Sequence, residues 1–199
     1  MNQELILASG SEIRAEMLRA AGVPFRVEVA RIDESSIRAS LEEEGATPRD
    51  IADTLAEYKA RRVSDRFPEA LVLGCDQTLD LDGRCLSKPE TPEQAREQLQ
   101  ALRGNRHMLL SAVVGYRGSK PEWRHVGTAR LWMRNFSDTY LDAYLARNWD
   151  SIRHSVGGYK MEEEGVRLFS RIEGDHFTIL GLPMFELLAF LSTRGIIET

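Results

Sequence analysis

The sequence predicts an α/β protein: one domain of two lobes around a cleft, built on a mixed sheet with long antiparallel strands. Three observations predict it. Strand-length apolar runs and helix-period segments follow one another along the chain. The run Ala70 to Cys75 is apolar almost throughout, which suits a central strand buried on both faces. Met108 to Tyr116 and Trp123 to Met133 read as two long strands joined through a Gly118-Ser119-Lys120 turn. At 199 residues, 42% of them hydrophobic, the chain has enough apolar surface for one sizeable core, and residues 1–199 are expected to form one domain.

From the N-terminus, Leu5 to Ala8 reads as a short buried strand running into Ser9-Gly10-Ser11. Ile13, Met17, Leu18 and Ala21 then recur at helical spacing until Gly22 and Pro24 stop the helix. Phe25 to Val29 alternates as a second strand, followed by the polar segment Arg31 to Ser36 and an acidic, exposed stretch from Leu41 to Gly45. Thr47-Pro48-Arg49-Asp50 supplies a cap, a proline at the first helical position and an acid in the first turn. A helix is expected from Pro48 to Asp65, with Ile51, Leu55, Tyr58 and Val63 on its apolar face. Asp82-Gly83 is a tight-turn dipeptide between Thr78-Leu79 and Arg84-Cys85-Leu86, a hairpin. Thr91-Pro92-Glu93-Gln94 repeats the capping logic for a helix to Leu102, closed by Gly104. Ser137 to Asn148 is a third capped helix, and Gly157 to Gly165 is too glycine-rich for a helix interior. Arg167 to Ile172 and His176 to Leu180, around a Glu173-Gly174-Asp175 turn, read as a last hairpin before a helix from Pro183 to Leu191.

With 26 Lys and Arg against 31 Asp and Glu, the net charge of -5 argues against a surface that wraps duplex nucleic acid. An anionic ligand therefore needs a local basic pocket. Two cysteines are too few for a disulfide scaffold, and Cys75, inside an apolar strand, is expected to be a buried structural thiol. The run Leu5 to Ala8 is too short for a signal-peptide core and lacks a basic leader, and no stretch approaches the ~20 apolar residues of a membrane span. The expectation is a cytoplasmic protein without nucleic-acid or membrane partners.

Three aspartates and a lysine lie between Asp76 and Lys88. Asp80-Leu81-Asp82-Gly83 as a nucleophile motif of haloacid-dehalogenase-like phosphatases needs Asp80 at the end of a hydrophobic strand. That run ends at Cys75, and the turn explains Asp82-Gly83 with less. Asp76, just past the run, has its carboxylate fixed by a rigid element and facing the cleft. The hairpin returns Lys88 beside the tip of the same strand, where its ammonium suits an anionic oxygen; a solvated surface lysine is the plainer alternative. Ser9-Gly10-Ser11 with Arg14 offers free N–H groups and a cation to a phosphate, with Ser11 equally suited to capping the helix.

Taken together, several segments resemble the Maf family of nucleoside triphosphate pyrophosphatases in order and spacing. They are Leu5 to Ser11 with Arg14, Ile32-Asp33-Glu34, Ala56 to Ala60, Gly74-Cys75-Asp76-Gln77, Asp82-Gly83, Lys88-Pro89, Gly157 to Gly165, Ile172 to Asp175 and Gly181-Leu182-Pro183. The resemblance runs over nearly the whole chain. It implies the Maf/ITPase-like fold and a cytoplasmic enzyme that cleaves a nucleoside triphosphate to the monophosphate and pyrophosphate with a divalent metal, Mg2+ or Mn2+. It also implies removal of non-standard nucleotides, a part in arresting septation, and a homodimer. Carried over by position, Asp76 is the general base, and Lys88, Lys59 and Arg14 are the cationic catalytic residues. Glu34 and Asp76 would hold the metal; Ser9, Ser11, Ile13, Gln77 and Glu162 would meet the substrate. His107 also falls near a family position and is read as structural.

The residue types suit the chemistry: attack of water on the α-phosphorus needs a base, a metal to bridge phosphate oxygens, and cations for the departing pyrophosphate. The family's Ser-x-Arg-Arg reads Ser11-Glu12-Ile13-Arg14 here, followed by Ala15. One arginine is missing, which motivates a second reading as a catalytically weak nucleotide-binding regulator of division. Ile13, Gln77 and Glu162 stand where the branch preferring dTTP and UTP has Arg, Thr and Gln, and look like the branch acting on 7-methyl-GTP. A carboxylate accepts hydrogen bonds only, so Glu162 suits the N–H groups of a guanine edge, unless it belongs to a solvated acidic loop with Glu163 and Glu164.

Overall fold

Apolar runs and their caps set the order of elements in the computed structural model, which describes residues 4–118 and 120–198. Ser119, in the expected turn, lies outside them, as do residues 1–3 and Thr199. β1 (Leu5–Ala8) leads into α1 (Glu12–Ala20), followed by β2 (Arg26–Val27), α2 (Glu34–Glu43) and α3 (Pro48–Ser64). β3 (Leu71–Leu81) turns into β4 (Arg84–Leu86), and α4 (Pro92–Leu102) leads to the long hairpin of β5 (Arg106–Arg117) and β6 (Lys120–Met133). α5 (Asp138–Ile152) is followed by two short 3-10 turns, Val156–Gly158 and Glu164–Leu168, then β7 (Phe169–Glu173), α6 (His176–Leu180) and α7 (Met184–Thr193). The expected caps are in place. Thr47 and Asp50 form a reciprocal capping box on α3, and Thr91 and Ser137 accept from the backbone N–H groups of Gln94 and Tyr140.

The strands form one mixed sheet in the order β2-β1-β3-β5-β6-β7, with β4 paired on β3. β1 runs parallel to β2 and β3, and the other pairings are antiparallel. Successive side chains of β3 alternate between faces. On one face α3 lies directly on the strand at Gly74, where an added Cβ would stand 2.0 Å from Ala56 O and 2.5 Å from Ala60 N. On the other face two apolar clusters form the two lobes. Leu71, Leu73 and Cys75 pack with α1 and α7, while Leu79 and Leu81 pack with α4 and α5. Gln77 stands between the clusters, under α6. Cys75 is the expected structural thiol, and burial pushes it up to about 11. No helix among the described residues is long and apolar enough to cross a membrane.

Five expectations are corrected. β3 does not stop at Cys75 but continues to Leu81, because each inward polar side chain beyond it has a partner. Asp76 meets Lys59, Thr78 Oγ1 donates to Pro48 O, and Asp80 accepts from Gly83 N–H. The strand expected over Phe25 to Val29 shrinks to Arg26–Val27, and Val29 is 52% exposed. The polar and acidic segment after Asp33 is a helix, α2, of which no residue is buried. Tyr58 is off the buried face of α3, and Lys59 is on it. His176 to Leu180 is not the second strand of a hairpin but a short helix: Asp175 accepts from Thr178 N–H at its start, and Gly181 closes it at φ 104, a left-handed cap that glycine adopts without strain.

Candidate active site

Asp76 is 5% exposed in the interior of β3, opposite Ala112 of β5. It is held mid-strand rather than at a strand tip. The close seating of α3 at Gly74 brings Lys59 over the same face, and Lys59 Nζ donates to Asp76 Oδ1 at 2.7 Å. The same ammonium donates to Glu34 Oε2 at 2.9 Å. Glu34 opens α2, whose start is fixed by Asp33. That carboxylate accepts from Ser36 N–H and from the hydroxyls of Ser35 and Ser36, which holds it below the usual range. Asp76 Oδ2, by contrast, is buried without a hydrogen bond among the described residues. Its neighbouring cation is Arg38 of α2, with Nη2 3.8 Å away and Nη1 donating to Cys85 Sγ at 2.9 Å. Sequence reasoning missed Arg38. Its signal is the i,i+4 spacing from Glu34, legible only once α2 is recognised as a helix.

A second group of polar side chains gathers at the β1–α1 loop. Arg14 and Ser9 are both buried. Arg14 Nε donates to Gly181 O at 2.8 Å, and Nη1 donates to Ser9 Oγ and Cys75 O, both at 3.2 Å. The guanidinium is thus braced on the peptide that precedes Asp76, with Nη2 left over for a ligand. Ser11 occupies the N-cap position of α1 without a side-chain capping bond, and its N–H donates to Ser9 Oγ. Ile13 is half-buried in α1.

Three expected residues stand apart from this cluster. Gln77 points to the opposite face of β3 from Asp76, where Nε2 donates to Ser111 Oγ at 2.9 Å, Ile179 O at 3.0 Å and Thr178 O at 3.3 Å. Lys88 is exposed and makes no hydrogen bond or ion pair among the described residues. The β3–β4 register, Leu79 opposite Leu86, carries the following chain back alongside β3 towards Asp76. Glu162 is exposed and makes no hydrogen bond or ion pair among the described residues, unlike Glu163 and Glu164. Glu163 accepts from Ser151 and Lys160, and Arg147 and Asn148 hold Glu164 down to about 2. His107, 1% exposed, has Nε2 2.7 Å from Tyr159 Oη and packs among the rings of Tyr159 and Phe169. Burial pushes it down to about 4, so it is neutral, as a structural histidine should be.

A family model described as Maf-like protein matches residues 4–194, a span that holds the β1–α1 loop, α2, α3 and the β3–β4 hairpin. This chain belongs to the Maf family. Among its relatives are the nucleoside triphosphate pyrophosphatases of Ruegeria sp. (strain TM1040), 64% identical over 198 residues, and Ruegeria pomeroyi, 62% identical over 199 residues; each match covers both chains in full. The 7-methyl-GTP pyrophosphatase of Brucella abortus biovar 1 is 46% identical over 198 residues, again covering both chains in full. In this Maf chain Ser9, Arg14, Glu34, Lys59 and Asp76 converge.

A divalent cation suits the donor chemistry of the Maf site. Glu34 and Asp76 are hard oxygen donors 2.9 and 2.7 Å from one nitrogen. Among the described residues no group of three or more His, Cys, Asp or Glu is placed to hold a metal by itself. Two carboxylates, with phosphate oxygens and water completing the shell, is the arrangement Mg2+ commonly takes.

Proposed function

We propose that this chain is a cytoplasmic nucleoside triphosphate pyrophosphatase that hydrolyses the anhydride between the α- and β-phosphates, and that a modified purine triphosphate such as 7-methyl-GTP suits it better than dTTP or UTP. One observation carries the reading: Asp76 Oδ2, a buried carboxylate oxygen with no hydrogen bond among the described residues, on a side chain paired with Lys59 and faced by Arg38, with Arg14 braced on the preceding peptide. The names of the relatives support the reaction class.

Asp76 Oδ1 stays locked on Lys59 while Oδ2 holds the attacking water and takes its proton. The water oxygen bonds to the α-phosphorus, the bond from that phosphorus to the bridging oxygen breaks, and pyrophosphate leaves with the electron pair. The leaving group gains charge, and Arg14 Nη2 and Lys88 are cations with donors to spare for it. Glu34 and Asp76 would hold a divalent Mg2+ or Mn2+ ion, which when bound supplies charge neutralisation on the phosphate oxygens. Ser9 braces Arg14, and the N–H groups of the Ser9-Gly10-Ser11 turn suit a phosphate oxygen.

The free carboxylate of Glu162 supports a guanine-like base, since it accepts from ring N–H groups and gains from the positive charge of a methylated ring. Gln77, with its NH2 committed to Ser111 and α6, keeps only Oε1 to offer, again an acceptor. The test is a panel of 7-methyl-GTP, GTP, dTTP and UTP with Mg2+ or Mn2+, measuring pyrophosphate and orthophosphate separately. Pyrophosphate is expected, fastest from 7-methyl-GTP, with Glu162→Gln narrowing the gap. A preference for dTTP would overturn the substrate, and orthophosphate would overturn the reaction. Binding without turnover would favour the regulator, the reading that the missing arginine at Ile13 motivates.

A further inference from the structure

A guanidinium has five N–H donors and is normally well bonded when largely buried. Arg38, its side chain 18% exposed, is not. Among the described residues its one hydrogen bond goes to Cys85 Sγ, and a thiol sulfur is a weak acceptor. Burial raises the Cys85 thiol, so no thiolate is there to pair with the cation. The other neighbour, Asp76 Oδ2, lies 3.8 Å from Nη2, beyond hydrogen-bond length, and has no donor of its own. A donor and an acceptor that could satisfy each other are held apart, at a spacing that a third polar group can bridge. The helix adds a second fact. Glu34 and Arg38 stand one turn apart on α2, the first on Lys59 and the second over Asp76, and no residue of α2 is buried. Charged contacts tie this helix to the site.

We infer that Arg38 is a substrate-contacting residue. Its unused N–H groups grip a non-bridging oxygen of the α-phosphate, the phosphate next to the water on Asp76 Oδ2. The inference rests on the pyrophosphatase reading for the identity of that phosphate. The attacked phosphorus must lie about 3–3.5 Å from the water. The water is on Oδ2, so the phosphate oxygens come within reach of a guanidinium that stands 3.8 Å from the same atom. The planar fork of arginine matches phosphate geometry far better than it matches a single sulfur. Substrate binding then exchanges Arg38's weak partner for a strong one and draws α2 down on the site.

The test is calorimetric binding of guanosine 5′-(α,β-methylene)triphosphate with Mg2+, which keeps the α-phosphate but has no cleavable oxygen bridge, alongside kcat/KM on the preferred triphosphate. Arg38→Ala should weaken binding by about 10–100-fold, the worth of a hydrogen bond between charged groups. Arg38→Lys, which keeps the charge and loses the fork, should recover part of it. Arg84→Ala, an exposed neighbour on β4, should match the wild type. Both Arg38 variants should stay folded, checked by a cooperative melting transition, because Lys59 still pairs with Asp76. Unchanged affinity in Arg38→Ala, or a fall in kcat alone, would overturn the inference by leaving Arg38 a prop for Asp76. If the wild type binds the analogue and Arg38→Ala weakens it while no triphosphate is turned over, the pyrophosphatase reading fails and the Arg38 contact stands.

Discussion

Two buried titratable side chains on paired strands each keep one polar atom without a partner: Asp76 its Oδ2 on β3, and His107 its Nδ1 on β5. Their surroundings differ in kind. Asp76 is ringed by charge, with Lys59 at 2.7 Å, Arg38 at 3.8 Å, and Glu34 sharing the lysine. His107 has a tyrosine hydroxyl and two aromatic rings, and burial makes it neutral. An unpaired buried atom therefore does not mark chemistry by itself. Keeping a buried charge requires cations, and apolar packing of the same volume would often be as stable. A cluster that retains three charged side chains around one unbonded carboxylate oxygen is better explained by use than by stability.

The largest expected effect breaks or makes that contrast. Asp76→Asn should lower kcat for pyrophosphate release by about 10²–10⁴-fold, the worth of a positioned base, or abolish it. The fold should survive, because the amide oxygen still accepts from Lys59 and Glu34 still neutralises the ammonium. Asp82→Asn should be nearly harmless. Asp82 sits at φ 52 in the two-residue turn with Gly83, a conformation asparagine tolerates. Equal loss in both variants at equal stability would mean that the roles along the β3–β4 hairpin are wrongly assigned.

The legible parts of the site share a feature. Asp76 follows an apolar run and Lys59 lies on a helix announced by Thr47, Pro48 and Asp50, so local pattern shows the elements that carry them, although it put Tyr58 rather than Lys59 on the buried face. Arg38 was illegible because α2 buries no residue fully: its apolar pair, Ile37 and Leu41, is only half-buried, too short a stripe to announce the helix that carries Glu34 and Arg38. α6 was misread because His176 to Leu180 is too short for helical periodicity, although the cap at Asp175 was in the sequence. The end of β3 was set too early because Asp76, Thr78 and Asp80 look like a loop until Lys59, Pro48 O and Gly83 N–H are brought to them. Local pattern shows where an element starts. Partners from distant elements decide how far a polar stretch continues.

Lys88 sharpens the contrast from outside the bonded cluster. It has no partner among the described residues, yet the β3–β4 register sends its chain towards Asp76. Lys88→Ala should slow turnover by roughly 10²–10³-fold, as expected for one preorganised contact to developing charge. Lys120→Ala, at the start of β6, should leave it unchanged. Equal slowing in both would indicate a general effect of net charge rather than a second cation at the site.

The smallest effect belongs to His107, and it should appear in stability rather than in turnover. Burial lowers this imidazole from 6.5 to about 4 in the folded protein. Between those values the unfolded chain binds the extra proton, so stability rises with pH there. His107 thus contributes stability that is fully present above about pH 6.5 and is lost as pH falls towards 4. Between pH 7.5 and pH 5 the wild type should lose about 2 kcal/mol more than His107→Gln, measured by urea unfolding at the two pH values. Glutamine can still meet the Tyr159 hydroxyl but does not titrate, so the difference isolates the imidazole. At pH 7.5 the folded variant should release pyrophosphate at the wild-type rate. If it were folded and inactive, His107 would belong to the chemistry, and a neutral buried group could no longer be set against a charged one.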